Sequence, residues 1–315
     1  MLLSEFIASA LAGLESLYPR AEARSMVSIL VCERLGVQSW THIANPSFEV
    51  PEQSLAQLEA DLQKLLASEP LQYVLGYAEF YGRRFRVTKD VLIPRPETEL
   101  LVDTVLQKLK SASRGCDGAP KILDLCTGSG CIAWTLALEP VGAQLTAIDI
   151  SPAALAIARS QFSGDLSQGA SGNSMVSGRE VTFIEADVLD LSEEGLSGTH
   201  SKLALGQFDV IVSNPPYVME QEKALMRSNV LDHEPALALF VPDDDPLIFY
   251  RAIAHHASRL LSAHGWGIVE INTLLAEPTA ECFRQAGLQD VTILPDLSGK
   301  PRFVSFSSGT PPLSR

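Results

Sequence analysis

No apolar run in this chain approaches the ~18 residues that a membrane-spanning helix needs. The amino terminus, Met1-Leu2-Leu3-Ser4-Glu5-Phe6-Ile7, lacks a basic stretch and is broken by Glu5, which argues against a signal peptide. Cysteine is scarce and irregularly spaced, at 32, 116, 126, 131 and 282. An odd, scattered set argues against a disulfide framework and for free thiols in a reducing cytoplasm. Metal-binding patterns are missing too. There is no C-x-x-C or H-E-x-x-H, and His255-His256 falls on an expected helix, where adjacent side chains point apart, so no metal is expected. Positive charge is in short supply: 24 Lys and Arg against 38 Asp and Glu leave a net charge of −14. A protein that grips a phosphate backbone does so by cation–phosphate neutralisation, so stable nucleic-acid binding is not expected. The densest basic stretch, Arg83, Arg84, Arg86 and Lys89, reads as the solvated face of a short hairpin.

What the chain does have is an ordinary globular composition, 46% apolar and 20% charged, over 315 residues. At ~100–200 residues per domain that length suggests two. Residues 1–75 form a helical segment, with Leu3, Phe6, Ile7, Leu11, Leu14 and then Leu55, Leu58, Leu62, Leu65, Leu66 at steps of three and four. Residues 76–95 alternate aromatic or β-branched with polar side chains around Gly82, which predicts a hairpin linker. In residues 96–315, strands at 122–126, 145–149, 181–184, 208–212 and 267–271 alternate with helices at 131–139, 152–162, 246–261 and 275–286. That alternation predicts a largely parallel α/β sheet with helices on both faces. The last two strands, 291–294 and 303–306, have no helix between them and are expected to pair as an antiparallel hairpin at one edge. Residues 163–179, rich in Gly and Ser, and 192–206 read as surface loops without chemistry.

The candidate chemistry lies at strand ends. Asn214-Pro215-Pro216-Tyr217 follows the apolar run Phe208 to Val212, which delivers it to the carboxyl end of the sheet. Two prolines remove two N–H donors and leave every carbonyl. The Asn214 side-chain oxygen and the Pro215 carbonyl then form a fork that can hold an –NH2 by both hydrogens, with Tyr217 as a flat surface beside it. The same four residues are equally a proline-stiffened loop with an aromatic plug.

Cys126-Thr127-Gly128-Ser129-Gly130 follows the first strand and opens a helix, where small residues let a ligand approach the backbone. The full G-x-G-x-x-G fingerprint fails: Cys126 takes the place of the first-turn glycine and Ala133 that of the last. Asp149 ends the second strand and suits ribose hydroxyls. Asp187 ends the third, where a carboxylate can accept from an adenine amine and Val188 can flank the ring. These features fit a nicotinamide cofactor as well as any other adenosine-containing one.

Together, Asp124 to Gly130, Asp149, Asp187 and Asn214 to Tyr217 resemble the S-adenosylmethionine-dependent methyltransferases of the seven-stranded, Rossmann-like class, in the branch acting on amide or exocyclic amine nitrogens. Segments 69–76, 79–82, 92–99, 229–239 and 296–302 resemble the release factor glutamine methyltransferase family across nearly the whole chain. Departures are Cys126 and Asn272, each where glycine is usual. The resemblance implies an enzyme that methylates the glutamine side-chain amide in the Gly-Gly-Gln motif of class I peptide chain release factors. It makes S-adenosylmethionine the methyl donor and residues 1–75 a docking domain. Asn214, Pro215 and Tyr217 become catalytic, with Pro216 beside them on the substrate. Cofactor contacts fall to Cys126, Thr127, Gly128, Ser129, Gly130, Asp149, Asp187, Val188 and Asn214, and Arg95 with Glu97 to Glu99 shape the pocket mouth. Rival readings are a ribosomal protein L3 glutamine methyltransferase, an adenine-N6 nucleic-acid methyltransferase, and a catalytically silent binding module.

Overall fold

The computed structural model describes residues 1–112, 118–162, 179–191 and 207–308. Nearly all of the two loops expected at 163–179 and 192–206 lies outside the described residues. The chain forms two compact units, Met1–Tyr77 with Met226–His233, and Ala78–Leu225 with Glu234–Arg315.

The first unit is helical: α1 (Leu3–Leu14), α2 (Arg20–Leu35), α3 (Thr41–Ala44), α4 (Glu52–Leu66) and α5 (Leu71–Leu75). The apolar steps read from the sequence are its core, with Leu3, Phe6, Leu14, Leu58 and Leu65 buried together. Asp61 is fully buried in it, paired with Arg34 Nε at 2.6 Å and with Gln57 Nε2 at 2.9 Å. The short segment 226–233 joins this unit from far along the chain, as the sequence reading did not anticipate. Arg227 Nη1 donates to both carboxylate oxygens of Glu22, at 3.0 and 2.8 Å, and His233 Nε2 lies 3.2 Å from the Ala67 carbonyl.

A hairpin follows, β1 (Tyr77–Phe80) and β2 (Arg83–Arg86), turned by Tyr81 and Gly82, both at positive φ as a tight two-residue hairpin requires. Tyr81 tolerates φ 51° because both its polar groups are held: its N–H by Glu99 Oε1 at 2.8 Å and its hydroxyl by Asp103 Oδ1 at 2.6 Å. Arg83 of the basic stretch is paired with Glu139 at 2.8 Å.

The rest of the second unit is a three-layer α/β sandwich. Its elements are α6 (Thr98–Ala112), β3 (Lys121–Leu125), α7 (Cys131–Leu138), β4 (Gln144–Asp149), α8 (Pro152–Ser160), β5 (Val181–Glu185), β6 (Phe208–Ser213), β7 (Val218–Met219), β8 (Phe240–Val241), α11 (Ile248–Leu260), β9 (Leu261–Glu270), α12 (Ala276–Gln285), β10 (Gln289–Pro295) and β11 (Pro301–Ser307). Between β7 and β8 the chain makes two single-turn helices, α9 (Ser228–Leu231), which belongs to the first unit, and α10 (Ala236–Leu239). The sheet order is β10-β11-β9-β6-β3-β4-β5, with β5 to β9 parallel and the β10–β11 edge antiparallel. Side chains alternate across it: Ile122, Val210, Val212 and Ile268 pack under α6, α7 and α8, while Leu123, Leu125, Ile211 and Val269 face α11 and α12.

The strand expected at 267–271 instead begins at Leu261. Gly265 and Gly267 lie inside it because neighbours fill the space of a side chain: a Cβ at 267 would meet Phe306 Cζ at 2.3 Å. The two histidines on α11 also differ from expectation. Their rings meet edge-on at 5.5 Å, and buried His256 sets Nε2 2.9 Å from the Val188 carbonyl.

Candidate active site

Strand order reverses between β3 and β6, and the turns that leave these two strands are neighbours. Leu125 is level with Ile148 on one side and with Ser213 on the other, and Ser213 is level with Val269. The next residues along, Cys126, Asp149, Asn214 and Glu270, therefore form a row at the carboxyl edge of the sheet, where ligands of open α/β sheets bind. Ser213 Oγ donates to the Leu125 carbonyl at 2.7 Å, which pins the two turns to each other.

The first turn is built from backbone. Cys126, Gly128 and Gly130 all take positive φ (61°, 54° and 77°), and Gly130 caps α7. At Gly130 a Cβ would sit 3.1 Å from both Ala158 Cβ and Trp134 Cδ1, so close helix packing as well as φ requires glycine. Cys126 adopts the same conformation with a side chain, at a typical cost of ~1–2 kcal/mol. Burial and the carboxylates of Asp149 and Asp124 push its thiol well up, so it stays protonated. Thr127 and Ser129 are buried. Asp149 reaches over from β4: Oδ2 accepts from Gly128 N at 2.8 Å and Oδ1 from Ser151 N at 2.9 Å. Asp187 accepts from Leu189 N at 2.8 Å and caps a short 3-10 turn.

Two placements were not legible in sequence. Val188 is buried in the core beneath α11, so its side chain cannot lie along an exposed ring, whereas Ile150 and Leu189, each following or near an acidic strand end, are exposed. Asp124 is fully buried on the α7 side of β3. Its Oδ2 accepts from the Thr127 hydroxyl at 2.6 Å, while Oδ1 has no hydrogen-bond partner among the described residues. Burial pushes its carboxyl up to about 7.

The second turn is held by side chains. Pro215 and Pro216 are buried, and Asn214 and Tyr217 are half-buried. Asn214 Nδ2 donates to Thr98 Oγ1 at 3.2 Å, Thr98 Oγ1 donates to Glu270 Oε2 at 2.7 Å, and Tyr217 Oη donates to Glu270 Oε1 at 3.0 Å. Asn214 Oδ1 and the Pro215 carbonyl accept no hydrogen bond among the described residues. Burial, and then the adjacent Glu270 carboxylate, push the Tyr217 hydroxyl far above its ordinary value, so it remains a donor. Asn272 uses the side chain that a glycine would lack: Nδ2 donates to the Tyr217 carbonyl at 3.1 Å and to Glu222 Oε2 at 2.9 Å.

The arrangement is that of a methyltransferase sheet, and comparison with known proteins agrees. The PrmC N-terminal domain family matches residues 5–76, and a methyltransferase domain family matches residues 117–265. The release factor glutamine methyltransferase of Bacteroides thetaiotaomicron is 39% identical over 293 residues, 93% of this chain and 95% of the relative. This chain belongs to the release factor glutamine methyltransferase family. A second member, from Flavobacterium psychrophilum, is 36% identical over 311 residues, 98% of this chain and 99% of its own. In this member of the family, Arg95 and Glu99, read from sequence as shaping the pocket mouth, carry structural bonds. Arg95 Nη2 pairs with buried Glu234 at 2.7 Å, and Glu99 holds the hairpin turn. Glu234 also accepts from Ile93 N at 3.1 Å, which fixes the chain on its way into α6.

Proposed function

We propose that this enzyme transfers a methyl group from S-adenosylmethionine to the side-chain amide nitrogen of the glutamine in the Gly-Gly-Gln motif of class I peptide chain release factors. The observation that carries the reading is that Asn214 Oδ1 and the Pro215 carbonyl, two acceptors one strand away from the glycine turn, take no hydrogen bond among the described residues. Membership of the family supports the choice of substrate.

The residues present fit the methyl donor. Asp149 retains lone pairs beyond its two backbone bonds, as ribose recognition requires. Buried Asp124 Oδ1 is an acceptor lacking a donor, which the ammonium of the methionine moiety would satisfy. Exposed Ile150 and Leu189 offer apolar surface to an adenine, with Asp187 beside them for its amine. S-adenosylmethionine, when bound, supplies a methyl group on a sulfonium sulfur that a nucleophile can displace.

The chain's own task is the amide. A primary amide nitrogen is a poor nucleophile because its lone pair is delocalised into the carbonyl. Accepting both N–H bonds at Asn214 and Pro215 favours charge build-up on nitrogen and fixes the direction of attack; losing one such preorganised group typically costs ~10²–10³ in rate. The N-alkylated amide is strongly acidic and passes its surplus proton to water, so no histidine is needed as base. The helical unit is assigned the docking of the release factor, and exposed Trp40 and Ile43 on its surface suit that role.

The test is transfer of labelled methyl from S-adenosylmethionine to purified release factor, beside release factor with the Gly-Gly-Gln glutamine replaced. Label on the first and none on the second is expected. No label on either, with label on ribosomal protein L3, would overturn the assignment of substrate.

A further inference from the structure

An asparagine amide has two ends of nearly the same shape, and only one of them can hold an –NH2. With Oδ1 toward the substrate the group accepts; turned by 180°, Nδ2 sets donor against donor. The Asn-Pro-Pro-Tyr turn itself contains nothing that chooses between them, because its prolines have removed the nearby N–H groups.

The choice is made by residues far away in sequence. Thr98, the first residue of α6, has a single hydroxyl proton, and Glu270 Oε2 takes it at 2.7 Å. What remains on Thr98 Oγ1 is lone pairs, so the Asn214 end that meets it at 3.2 Å is Nδ2. Oδ1 is thereby turned to the opposite side. The same carboxylate holds the far end of the turn through Tyr217 Oη at 3.0 Å. Register brings this about: Val269 is level with Ser213, so Glu270 lies opposite Asn214.

We propose that Glu270, acting through the Thr98 hydroxyl, sets which end of the Asn214 amide faces the glutamine, making Glu270 and Thr98 positioning residues for methyl transfer. The inference rests on the reading of Asn214 as the acceptor for the substrate amide.

One further observation supports it. Glu270 is 1% exposed and has no ion-pair partner within 4.0 Å among the described residues. A carboxylate buried in this way is costly, and a fold that needed only packing would be served by an apolar side chain there. The ionised state is also the one the device requires. A proton on Oε2 would point at Thr98, release the Thr98 proton toward Asn214, and reverse the amide. Burial, joined by Glu97, raises the Glu270 carboxyl above its ordinary value, and the Thr98 and Tyr217 hydroxyls and Arg302 of β11 offset part of that rise in favour of the charged form. Tyr250 of α11 also faces this group, with its hydroxyl 3.3 Å from the Glu270 carbonyl.

The experiment compares Thr98→Val, which keeps shape and removes the hydroxyl, with Thr98→Ser, which restores it. Release factor methylation and equilibrium binding of S-adenosylmethionine are both measured. Thr98→Val is expected to lower kcat by about 10- to 100-fold, the usual range for a group that orients a ligand-contacting residue, with donor affinity within about threefold of wild type. Thr98→Ser is expected to recover kcat to within about threefold. Glu270→Gln, which still offers Thr98 an acceptor, should retain more kcat than Glu270→Leu. Unchanged kcat in Thr98→Val, or equal loss of kcat and donor affinity with no recovery in Thr98→Ser, would overturn the inference. Failure of the wild-type protein to label the release factor would instead overturn the function on which it rests, so the two failures are distinct.

Discussion

The glycine turn after β3 and the proline turn after β6 leave adjacent strands at the same level, yet they are fixed by opposite means. The glycine turn offers N–H groups, and a carboxylate comes to it: Asp149 accepts from Gly128 and Ser151. The proline turn has given up two of its N–H groups, so it is held through side chains, Asn214 to Thr98, Tyr217 to Glu270, and Asn272 to the Tyr217 carbonyl. A turn stripped of donors keeps its carbonyls available for a ligand but depends on distant residues for its shape.

The comparison can be broken most forcefully at Asn214. Asn214→Ala is expected to lower kcat by ~10²–10³ while leaving the affinity for S-adenosylmethionine nearly unchanged. Equal losses in both would mean that the proline turn serves the donor and not the amide. On the other side, Asp149→Asn replaces one acceptor with a donor facing a backbone N–H. Charge-assisted hydrogen bonds of this kind are worth ~1.5–3 kcal/mol, so donor affinity should weaken about 10- to 100-fold, with kcat at saturating donor retained to within a few fold. Isothermal titration paired with initial rates separates the two.

A third test concerns stability. The Asp124 carboxyl is pushed up to about 7 in the folded protein by burial. The folded state therefore holds a proton that the unfolded chain gives up near pH 4, and stability falls as pH rises from there through about 7. Without methyl donor, the midpoint of thermal unfolding should drop by roughly 5 °C between pH 5.5 and 8.5, and Asp124→Asn should flatten that slope. An unaltered slope in the variant would show that another group carries it. The smallest effect is expected at Cys126. Glycine there removes the left-handed strain of ~1–2 kcal/mol but adds ~0.5–1 kcal/mol of unfolded-chain entropy, so Cys126→Gly should raise stability by at most about 1.5 kcal/mol in urea unfolding.

The contrast between the turns also explains what could be read from the sequence. β3, β4, β5 and β6 and the helices between them followed from alternating apolar runs and turn residues, all local signals. The glycine turn was legible because its glycines and the acidic strand end are local too. The holders of the proline turn were not: Thr98 and Glu270 lie 172 positions apart and meet only through the order β9-β6-β3. Thr98 reads as one polar residue at a helix start, and Glu270 as the end of a strand. The burial of the Val188 side chain was hidden for a related reason. An apolar residue after an acidic strand end can turn toward ligand or core, and the packing of α11, with His256 on the Val188 carbonyl, decides for the core.

The first unit takes its last piece, Met226–His233, from a part of the chain made long after its helices. Glu22 waits for Arg227, and Ala67 for His233. A chain emerging from the ribosome folds its domains in order as each is completed. Here the amino-terminal helices are out first with their whole apolar core, Leu3 to Val74, already in hand, and the exposed contacts of Arg227 and His233 can be added only once β3, β4, β5 and β6 have all been synthesised.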